Sequence, residues 1–257
     1  MPEGLEAEIW RTALTSIVGR RITCAWVDDR VAPPGFVREV TGSSVAAIRR
    51  VGKVVLIDTD ETIIGLHFGM TGRLVIDGEA RIDRLEYASG QDRPEWDRLR
   101  LFTNGTQAAA AVRLNDPRRL GRISIDPDLT HLGVDIFDLS VTSLEDALKR
   151  RRIAVKTALL DQTVLAGLGN LCVDEVLWWA GIDPHRPANS LESDEMKRLE
   201  EMVRRRLPIM LRRGGSTSGV LSPEVRAACP PCERDGHPLR RDSIASRTAV
   251  WCPGHQL

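Results

Sequence analysis

Two short Cys/His motifs near the C-terminus give the clearest chemical signal in the sequence. Cys229-Pro-Pro-Cys232 and Cys252-Pro-Gly-His255 are separated by nineteen residues. Each motif places two soft or borderline donors on one tight turn, and two such turns supply the four ligands of a tetrahedral zinc site. Because three cysteines and one histidine leave no open coordination position, the pattern predicts one structural Zn²⁺. The alternative, four unrelated residues brought close by chance, is disfavoured by the paired spacing.

A second candidate for chemistry lies at the N-terminus, which reads Met1-Pro2-Glu3. Removal of Met1 would leave Pro2 as a free secondary amine. An α-amino group titrates at about pH 8, and the positive end of a following helix disfavours its protonated form. The neutral amine could attack an electrophilic carbon and form an iminium, with Glu3 moving protons. Taken alone, these residues favour ordinary helix initiation, because Pro and Glu are common in a first turn.

The elements that must position these residues change in character along the chain. Residues 3 to 18 are predicted to be a helix, since Leu5, Ile9 and Ile17 recur at helical spacing and Gly19 is a natural stop. Short strands separated by turn signals follow and indicate an antiparallel sandwich or barrel. The predicted strands are Ile22–Val27, Val45–Ile48, Val54–Asp58, Thr62–His67, Arg73–Ile76, Arg98–Phe102, Gln107–Leu114 and Arg122–Ile125.

The second half of the chain is predicted to be helical. Pro127–Ser143 is interpreted as a linker, and Ser143 and Ser193 as helix N-caps. Gly167, Gly169 and Asn170 form a turn whose backbone N–H groups could meet a phosphate, although such turns are mostly structural. The predicted helices are Ser143–Arg152, Lys156–Gln162, Asn170–Ala180 and Ser193–Arg213.

Bulk properties limit the protein's class. The chain has 257 residues, 42% of them apolar, and no secretory signal or long apolar stretch. We therefore expect a cytosolic protein with no membrane role. The single cysteines Cys24 and Cys172 argue against a disulfide framework and for a reducing compartment.

Charge is balanced overall but clustered locally. The 36 basic and 36 acidic residues give a net charge of zero, which alone counts against nucleic-acid binding. Phosphate binding needs only a local field, and the basic clusters could line one groove, although any one of them could be a solvated helix face. The clusters are Arg118-Arg119 with Arg122, Lys149–Arg152, Arg204–Arg206, Arg212-Arg213 and Arg240-Arg241.

These pieces occur together in one order. They are Met1-Pro2-Glu3 with Glu6, His67-Phe-Gly-Met70-Thr-Gly-Arg73, Asn115-Asp-Pro-Arg118-Arg119-Leu120-Gly121, Leu160-Asp-Gln with Ala166-Gly-Leu-Gly-Asn170, and the terminal Cys/His motifs. Over essentially its whole length the chain resembles the formamidopyrimidine-DNA glycosylase / endonuclease VIII family of base-excision repair enzymes. The resemblance implies an α+β multi-domain fold. We expect an N-terminal helix and antiparallel β-sandwich domain at 1–127, a helical helix-two-turn-helix DNA-binding domain at 140–215 and a zinc finger at 225–257.

The resemblance also implies an activity and its residues. Pro2 matches the family's Schiff-base nucleophile, and Glu3 matches the acid/base residue that protonates the opened sugar. Lys53 matches a lysine that assists elimination and contacts phosphate. Arg247 matches the finger arginine that holds the phosphate beside the lesion and assists the second elimination. The implied activity is excision of an oxidised base followed by β- or β,δ-elimination. The implied partner is double-stranded DNA with a damaged base or abasic site, bound by a monomer in the bacterial cytosol or nucleoid.

Further residues match the family's DNA contacts. Met70, Arg118 and Leu120 match the three side chains that fill the space of the flipped base. The phosphate and strand contacts implied elsewhere are His67, Arg119, Arg151, Arg152 and Asn170.

Three departures from the family pattern bear on function. Leu120 stands where phenylalanine is usual, so it can wedge between bases but loses stacking worth about 1–3 kcal/mol per base. His255 replaces a cysteine, and we expect zinc binding to survive. Only eleven residues separate Thr217 from Cys229, where 8-oxoguanine-removing members carry a longer loop. The short segment favours oxidised pyrimidines or an unnamed substrate.

Two other functions stay open. Leu120, the short segment and the zero net charge are compatible with a non-catalytic binder of damaged, abasic or gapped DNA on the same scaffold. The Cys/His motifs alone would also fit a zinc-ribbon protein that contacts other proteins, but that function gives no reason for Pro2 and Glu3.

Overall fold

A helix and two antiparallel sheets make up the first of two compact units. The computed structural model describes residues 2–88, 90–106 and 110–257. The first unit comprises Pro2 and Glu6–Thr130, and the second comprises Glu3–Leu5 and His131–Leu257. The elements of the first half are α1 (Gly4–Leu14), β1 (Ile22–Val27), α2 (Phe36–Val40), β2 (Val45–Val51), β3 (Val54–Thr59), β4 (Ile63–His67), β5 (Arg73–Ile76), β6 (Glu79–Ala80), β7 (Asp97–Thr103), β8 (Val112–Asn115) and β9 (Arg122–Ile125).

The strands form two sheets, in the orders β1-β7-β8-β5-β6 and β2-β3-β4-β9. Every strand pair in both is antiparallel. The buried residues of both sheets and of α1 form one apolar core, in which the rings of Trp10 and Phe68 lie 4.2 Å apart. The antiparallel arrangement predicted from the sequence is therefore confirmed.

Boundaries in this unit differ in detail from the prediction. α1 ends at Leu14 and continues as a 3-10 turn over Thr15–Ile17, so the helical segment stops close to the predicted end. α2 was not predicted; it starts after Gly35, whose φ of 83° turns the chain sharply. The predicted strand Gln107–Leu114 is present from Val112 onward, and its residues 107–109 lie outside the described residues.

Helices dominate the second unit. α5 is buried along nearly its whole length and packs against α6, and their apolar residues form a second core. Gly181, with a φ of 70°, ends α5 as a left-handed cap. The elements are β10 (Val134–Asp135), α3 (Val141–Leu148), α4 (Val155–Leu160), β11 (Leu165–Ala166), α5 (Asn170–Ala180), α6 (Ser193–Arg212), α7 (Pro223–Ala228), β12 (Arg240–Ile244) and β13 (Arg247–Trp251).

The predicted helix caps are wrong by one or three residues. Ser140, not Ser143, is the N-cap of α3: its hydroxyl accepts from the Ser143 N–H, and the Ser143 hydroxyl accepts in return from the Ser140 N–H. Ser193 is the first residue of α6, and Glu192 precedes it as the cap. The stretch interpreted as a linker contains β10, which pairs in parallel with β11.

The helices in the part of the chain that the structure describes were compared with the length and hydropathy of a membrane span. None of the helices there combines the length and apolar character needed to cross a bilayer.

Candidate active site and metal site

The carboxylate of Glu3 is held by the start of α5. Its Oε2 accepts from the N–H groups of Gly169 at 2.9 Å and Cys172 at 3.1 Å, and its Oε1 accepts from the Leu171 N–H at 2.8 Å. Glu3 is 1% exposed. Hydrogen bonds to a charged acceptor at a helix N-terminus are stronger than neutral ones, so this arrangement, which we call the Glu3 clasp, fixes both carboxylate oxygens.

Gly169 is needed for the clasp. A Cβ built at this position would lie 2.4 Å from Cδ of Glu3, well inside van der Waals contact. The Gly169 backbone, at φ −125°, is open to any residue, so it is the approach of Glu3 that excludes a side chain. Within the turn, the Gly169 N–H binds Glu3 and the Gly167 N–H donates to Oε1 of Gln162 at 3.0 Å, so these two N–H groups are occupied by the protein itself.

Asn170 keeps unmet hydrogen-bonding capacity beside the clasp. It is the first residue of α5, and its Oδ1 is buried without a hydrogen-bond partner among the described residues. An orphaned buried acceptor costs free energy, and such groups in folded proteins call for a partner. Oδ1 of Asn170 can therefore accept a hydrogen bond from an external donor.

Pro2 lies two residues before the start of α1 and is buried. Met1 lies outside the described residues. Only an unblocked Pro2 nitrogen carries the lone pair that iminium chemistry needs.

Lys53 lies on the two-residue turn between β2 and β3. Gly52, with a φ of 57°, forms the other half of this turn. Arg50 braces the turn: its Nη1 donates to the Gly52 carbonyl at 2.7 Å, and its Nε donates to Glu8 of α1 at 3.1 Å. The sequence identified Lys53 but not the Glu8–Arg50 pair that holds its turn.

His67 is the last residue of β4, and its surroundings favour the neutral imidazole. Partial desolvation, followed by the positive charges of Lys53 and Arg122, lowers the pKa of His67 below its ordinary value. Its Nδ1 accepts from the Gly69 N–H at 3.3 Å, which leaves Nε2 as the protonated nitrogen of the neutral ring. His67 therefore combines with Lys53 and Arg122 in one basic group of the first unit.

Asp116 organises the loop that carries Arg118 and Leu120. Its buried carboxylate accepts from the N–H groups of Leu120 and Gly121, both at 2.7 Å, and from the Thr71 hydroxyl. The sequence reasoning passed over Asp116, although its place before a proline in a loop favours such backbone contacts.

The three predicted wedge residues lie in neighbouring loops. Arg118 Nη1 is 3.9 Å from the Met70 sulfur, and Leu120 is 44% exposed. Gly69 permits the loops to pack, because a Cβ there would lie 2.4 Å from the Leu120 carbonyl. Arg119, at a φ of 53°, turns away and donates to Asp28 at 2.9 Å.

Two arginines of the second unit differ in availability. Arg151 donates to the Ala147 carbonyl at 3.2 Å and pairs with Asp161 at 3.4 Å. Arg152 is exposed.

Arg247 is presented by a strained hairpin. β12 and β13 pair antiparallel and are joined by Ala245 and Ser246, whose φ angles are 47° and 62°. Positive φ at both central residues is the geometry of a type I′ turn, which prefers Asn and Gly. Arg247 follows this turn and is exposed.

The described residues contain one compact group of metal-binding side chains. Ligand atoms of Cys232, Asp235, Cys252 and His255 lie within 4.8 Å of one another. His255 Nδ1 is 2.8 Å from Asp235 and 3.8 Å from the Cys232 sulfur. Its other nitrogen, Nε2, is 3.2 Å from the Trp178 carbonyl, which orients Nδ1 toward the group. Two sulfurs, an imidazole and a carboxylate suit a borderline divalent ion.

Protons must leave when a metal binds to this group. Burial is the main cause that raises the pKa of the Cys252 thiol to about 11. A hydrogen bond from the Gly254 N–H acts in the opposite direction, and the Asp235 carboxylate adds to the rise. A metal ligand must be the thiolate, so binding releases a proton.

Cys229, the fourth predicted ligand, is not a member of this group. It ends α7 in the left-handed region, at φ 44°, and its sulfur lies 3.6 Å from the Arg226 carbonyl. The structure thus brings together Cys232, Cys252 and His255 as predicted and adds Asp235. The sequence reasoning missed Asp235, although a carboxylate three residues after Cys232 was a usable signal.

The predicted site residues are divided between the two units. Those in the first unit are Pro2, Lys53, His67, Met70, Arg118, Arg119 and Leu120. Those in the second unit are Glu3, Arg151, Arg152, Asn170, Arg247, Cys229, Cys232, Cys252 and His255.

The fold and the site define an α+β protein with an N-terminal antiparallel sandwich, a helical unit and a C-terminal Cys/His group. A family model described as the formamidopyrimidine-DNA glycosylase N-terminal domain matches residues 1–123. The formamidopyrimidine-DNA glycosylase H2TH domain matches residues 132–222. The chain belongs to the formamidopyrimidine-DNA glycosylase family.

Curated relatives agree over most of their length. The chain is 32% identical over 283 residues to the formamidopyrimidine-DNA glycosylase of Salinispora arenicola, with 98% of this chain and 95% of the relative covered. It is 34% identical over 224 residues to that of Paracoccus denitrificans, with 83% and 76% covered.

Solved structures share the whole fold. The MutM (Fpg) protein of Thermus thermophilus matches with a TM-score of 0.81 and 26% identity, covering 99% of this chain and 98% of that chain. The Fpg of Lactococcus lactis, bound non-covalently to DNA containing an AP site, matches with the same TM-score and identity, covering 99% of each.

Proposed function

We propose that this protein is a bifunctional DNA glycosylase and AP lyase of base-excision repair. The observation that carries the proposal is the Glu3 clasp in a member of this family. A carboxylate fixed through both oxygens at the start of α5, directly after a proline that can act as a secondary amine, is a prepared acid/base group beside a nucleophile in sequence.

Chemistry begins at Pro2, once Met1 has been removed. The Pro2 nitrogen forms a bond to C1′ of the damaged nucleotide while the bond from C1′ to the base breaks, and the base leaves with that electron pair and takes up a proton. The bonded Pro2 nitrogen then gives its proton to the Glu3 carboxylate, and Glu3 passes that proton to the ring oxygen as the bond from C1′ to the ring oxygen breaks. The freed nitrogen lone pair completes the iminium. Loss of a C2′ proton then expels the 3′ phosphate. Loss of a C4′ proton expels the 5′ phosphate in the second elimination.

Cations and an amide hold the DNA backbone in this proposal. Lys53 and Arg247 contact phosphates next to the reacting sugar, and Asn170 donates its side-chain amide to a phosphate from the start of α5. Oδ1 of Asn170 has no partner where it lies, and a flip of the side-chain amide would put the NH2 group there, where it could donate to a phosphate. His67, Arg119, Arg151 and Arg152 are the remaining proposed strand contacts.

Met70, Arg118 and Leu120 fill the gap left by the flipped base. The 3.9 Å contact of Arg118 with Met70 and the exposure of Leu120 support a joint role. Leu120 can wedge between bases but cannot stack on them as a phenylalanine would. We therefore propose that this protein interrogates the opposite strand more weakly than a protein with phenylalanine at this position.

The metal in this proposal is one structural Zn²⁺. Cys232, Cys252 and His255 hold the ion. The resemblance implies Cys229 as the fourth ligand, whereas the geometry favours Asp235 in that position. The ion would tie the loops on either side of the β12–β13 hairpin. Replacing the ion with Co²⁺ separates the two, because the sulfur-to-cobalt absorption counts three thiolates with Cys229 and two without it.

The substrate is proposed to be an oxidised base in double-stranded DNA, processed by a monomer in the bacterial cytosol. The short segment between Thr217 and Cys229 forms α7 and favours oxidised pyrimidines over 8-oxoguanine. The Lactococcus lactis relative has been solved with DNA containing an oxidised pyrimidine, at 25% identity and a TM-score of 0.81. A panel of duplexes with defined lesions ranks these substrates.

Borohydride trapping tests the proposed function. On duplexes with an oxidised pyrimidine or an abasic site, wild type should form a covalent complex. Pro2→Gly, which replaces the secondary amine with a more mobile primary one, should form far less of it while still binding DNA. Ala13→Gly, a change on α1, is the folding control. If wild type traps on neither duplex, the enzyme proposal fails.

A non-catalytic binder on the same scaffold is the second candidate function. Leu120 and the zero net charge favour it. It predicts salt-dependent binding to abasic or gapped DNA with no strand cleavage.

A further inference from the structure

Three buried charged residues meet between the helices of the second unit. Lys156 of α4, Asp174 of α5 and Arg226 of α7 are 0%, 1% and 5% exposed. Lys156 Nζ lies 2.5 Å from Asp174 Oδ1, and Arg226 Nη1 lies 2.5 Å from Asp174 Oδ2. We call these three residues the Asp174 network.

The network ends on the backbone of β13. Val250 N–H donates to Asp174 Oδ2 at 2.9 Å. The Thr248 carbonyl accepts from Lys156 Nζ at 2.6 Å and from Arg226 Nη2 at 3.0 Å. Three charged side chains thus satisfy two backbone groups of one strand, and Thr248 is bonded directly to Arg247.

General stability is a poor explanation for this arrangement. The free-energy cost of removing three charges from water can exceed what their mutual attraction returns. Proteins in which apolar side chains replace a buried ion pair are often equally stable. Buried ionic groups are better explained where they fix one geometry among several, because each partner accepts only a narrow range of positions.

The network also shares its helix with the Glu3 clasp. Asp174 lies one turn after Asn170 on α5. Burial lowers the pKa of Lys156, and the carboxylates of Asp174 and Glu3 act against that lowering. The same rigid helix therefore holds Glu3 and Asn170 at its first turn and the base of the Arg247 hairpin at its second.

We propose that Asp174, with Lys156 and Arg226, is a positioning centre that fixes β13 on α5 and so sets the place of Arg247. The inference rests on the proposed function, in which Arg247 holds the phosphate during the second elimination. Without the network the Arg247 guanidinium is still present but is no longer held at one position, and misplacement by about 1 Å can cost roughly 100-fold in rate.

Glu175 offers a matched control. It is the next residue on α5, is 3% exposed, and its carboxylate also binds two backbone N–H groups, those of Val220 at 3.0 Å and Leu221 at 2.9 Å. Glu175→Gln therefore removes an equally buried charge without touching β13.

The first readout is strand cleavage of a duplex with a preformed abasic site. Asp174→Asn should slow the second elimination about 10-fold to 100-fold relative to the first, with borohydride trapping kept, whereas Glu175→Gln should leave the ratio of the two products unchanged. Added to Arg247→Ala, Asp174→Asn should change that ratio no further, because both act through one group. Equal ratios for Asp174→Asn and Glu175→Gln, or additive effects with Arg247→Ala, overturn the proposal.

The second readout needs no activity. Amide hydrogen exchange at Val250 should speed up at least 10-fold in Asp174→Asn and not in Glu175→Gln, at unchanged metal content. Unchanged exchange at Val250 overturns the proposal. If wild type shows no trapping but Val250 responds, the proposed function has failed while the link from Asp174 to β13 stands. Should Asp174→Asn not fold, Arg226→Met takes its place in the cleavage measurement, because it keeps the Lys156–Asp174 pair but loses the bond to the Thr248 carbonyl. An unchanged product ratio in Arg226→Met would then overturn the proposal.

Discussion

The Glu3 clasp shows how a single glycine can fix the place of a buried carboxylate. We expect Gly169→Ala to displace the Glu3 carboxylate, because the new Cβ would meet its Cδ at 2.4 Å while the backbone itself accepts alanine. Base excision should fall about 100-fold or more, since a carboxylate moved out of reach cannot transfer protons. Single-turnover kinetics on lesion-containing DNA measure this loss.

Two companions make that prediction specific. Gly90→Ala, where the nearest atom to a new Cβ is the Asp83 carbonyl at 3.7 Å, should leave the rate unchanged. Circular dichroism should show Gly169→Ala folded. Wild-type rates in a folded Gly169→Ala protein would contradict the role given to the clasp.

His67 gives a pH-dependent prediction. The pKa of His67 in the folded protein lies below its unfolded value of about 6.5. At pH values between these two pKa values, the unfolded chain therefore binds more protons than the folded one. The contribution of His67 to stability is therefore complete above about pH 6.5 and is lost as the pH falls from there through the folded pKa. An NMR titration should give a pKa below 6.5 in wild type and a higher one in Lys53→Met, which removes a repelling charge.

Arg49→Gln serves as the control for that titration. Arg49 pairs with Asp58 at 2.5 Å and is not among the charges that act on His67, so its removal should leave the pKa of His67 unchanged. An unchanged pKa in Lys53→Met would show that Lys53 does not reach the imidazole.

Asp235 is predicted to matter for metal binding whether it binds the ion or only orients His255. Asp235→Asn should lower metal affinity about 10-fold to 100-fold, the usual effect of losing a carboxylate partner of a ligating histidine. Glu233→Gln, an exposed neighbour, is the control. Competition with a chelator measures both affinities, and equal values would exclude Asp235 from the site.

At the scale of elements, the hairpin that carries Arg247 is built on an unfavourable turn. Ala245 and Ser246 both adopt positive φ, which costs L-residues about 1 kcal/mol or more each. Replacing the pair with Asn-Gly should raise the free energy of unfolding by about 1 kcal/mol, since Asn and Gly accept this geometry. Urea denaturation measures the change, and Ala245→Val should shift stability in the opposite direction.

Periodicity and turn residues predicted most of the elements themselves. α5 appears as predicted, and most strands of the two sheets start or end within a few residues of their predicted bounds. Helix caps were harder to predict. Ser140 and Ser143 lie within one turn of each other and either could cap α3, and only their reciprocal hydrogen bonds identify Ser140 as the cap. α7 and α2 are too short for a periodic signal.

At the scale of the whole molecule, contacts distant in sequence were out of reach. The clasp joins Glu3 to residues more than 160 positions away, and the Asp174 network joins three helices to β13. Such pairings depend on how elements pack, and no local pattern encodes them. The order of motifs, in contrast, indicated the family, which the domain matches establish over 1–123 and 132–222.

The central claim is that the Pro2 nitrogen is the nucleophile. Peptide mass spectrometry of the borohydride-reduced complex with abasic DNA tests it most directly. We predict that Met1 is absent and that the sugar adduct lies on the peptide beginning with Pro2. An adduct on Lys53 or another side chain, or a retained Met1 in protein that still cleaves, would contradict the account.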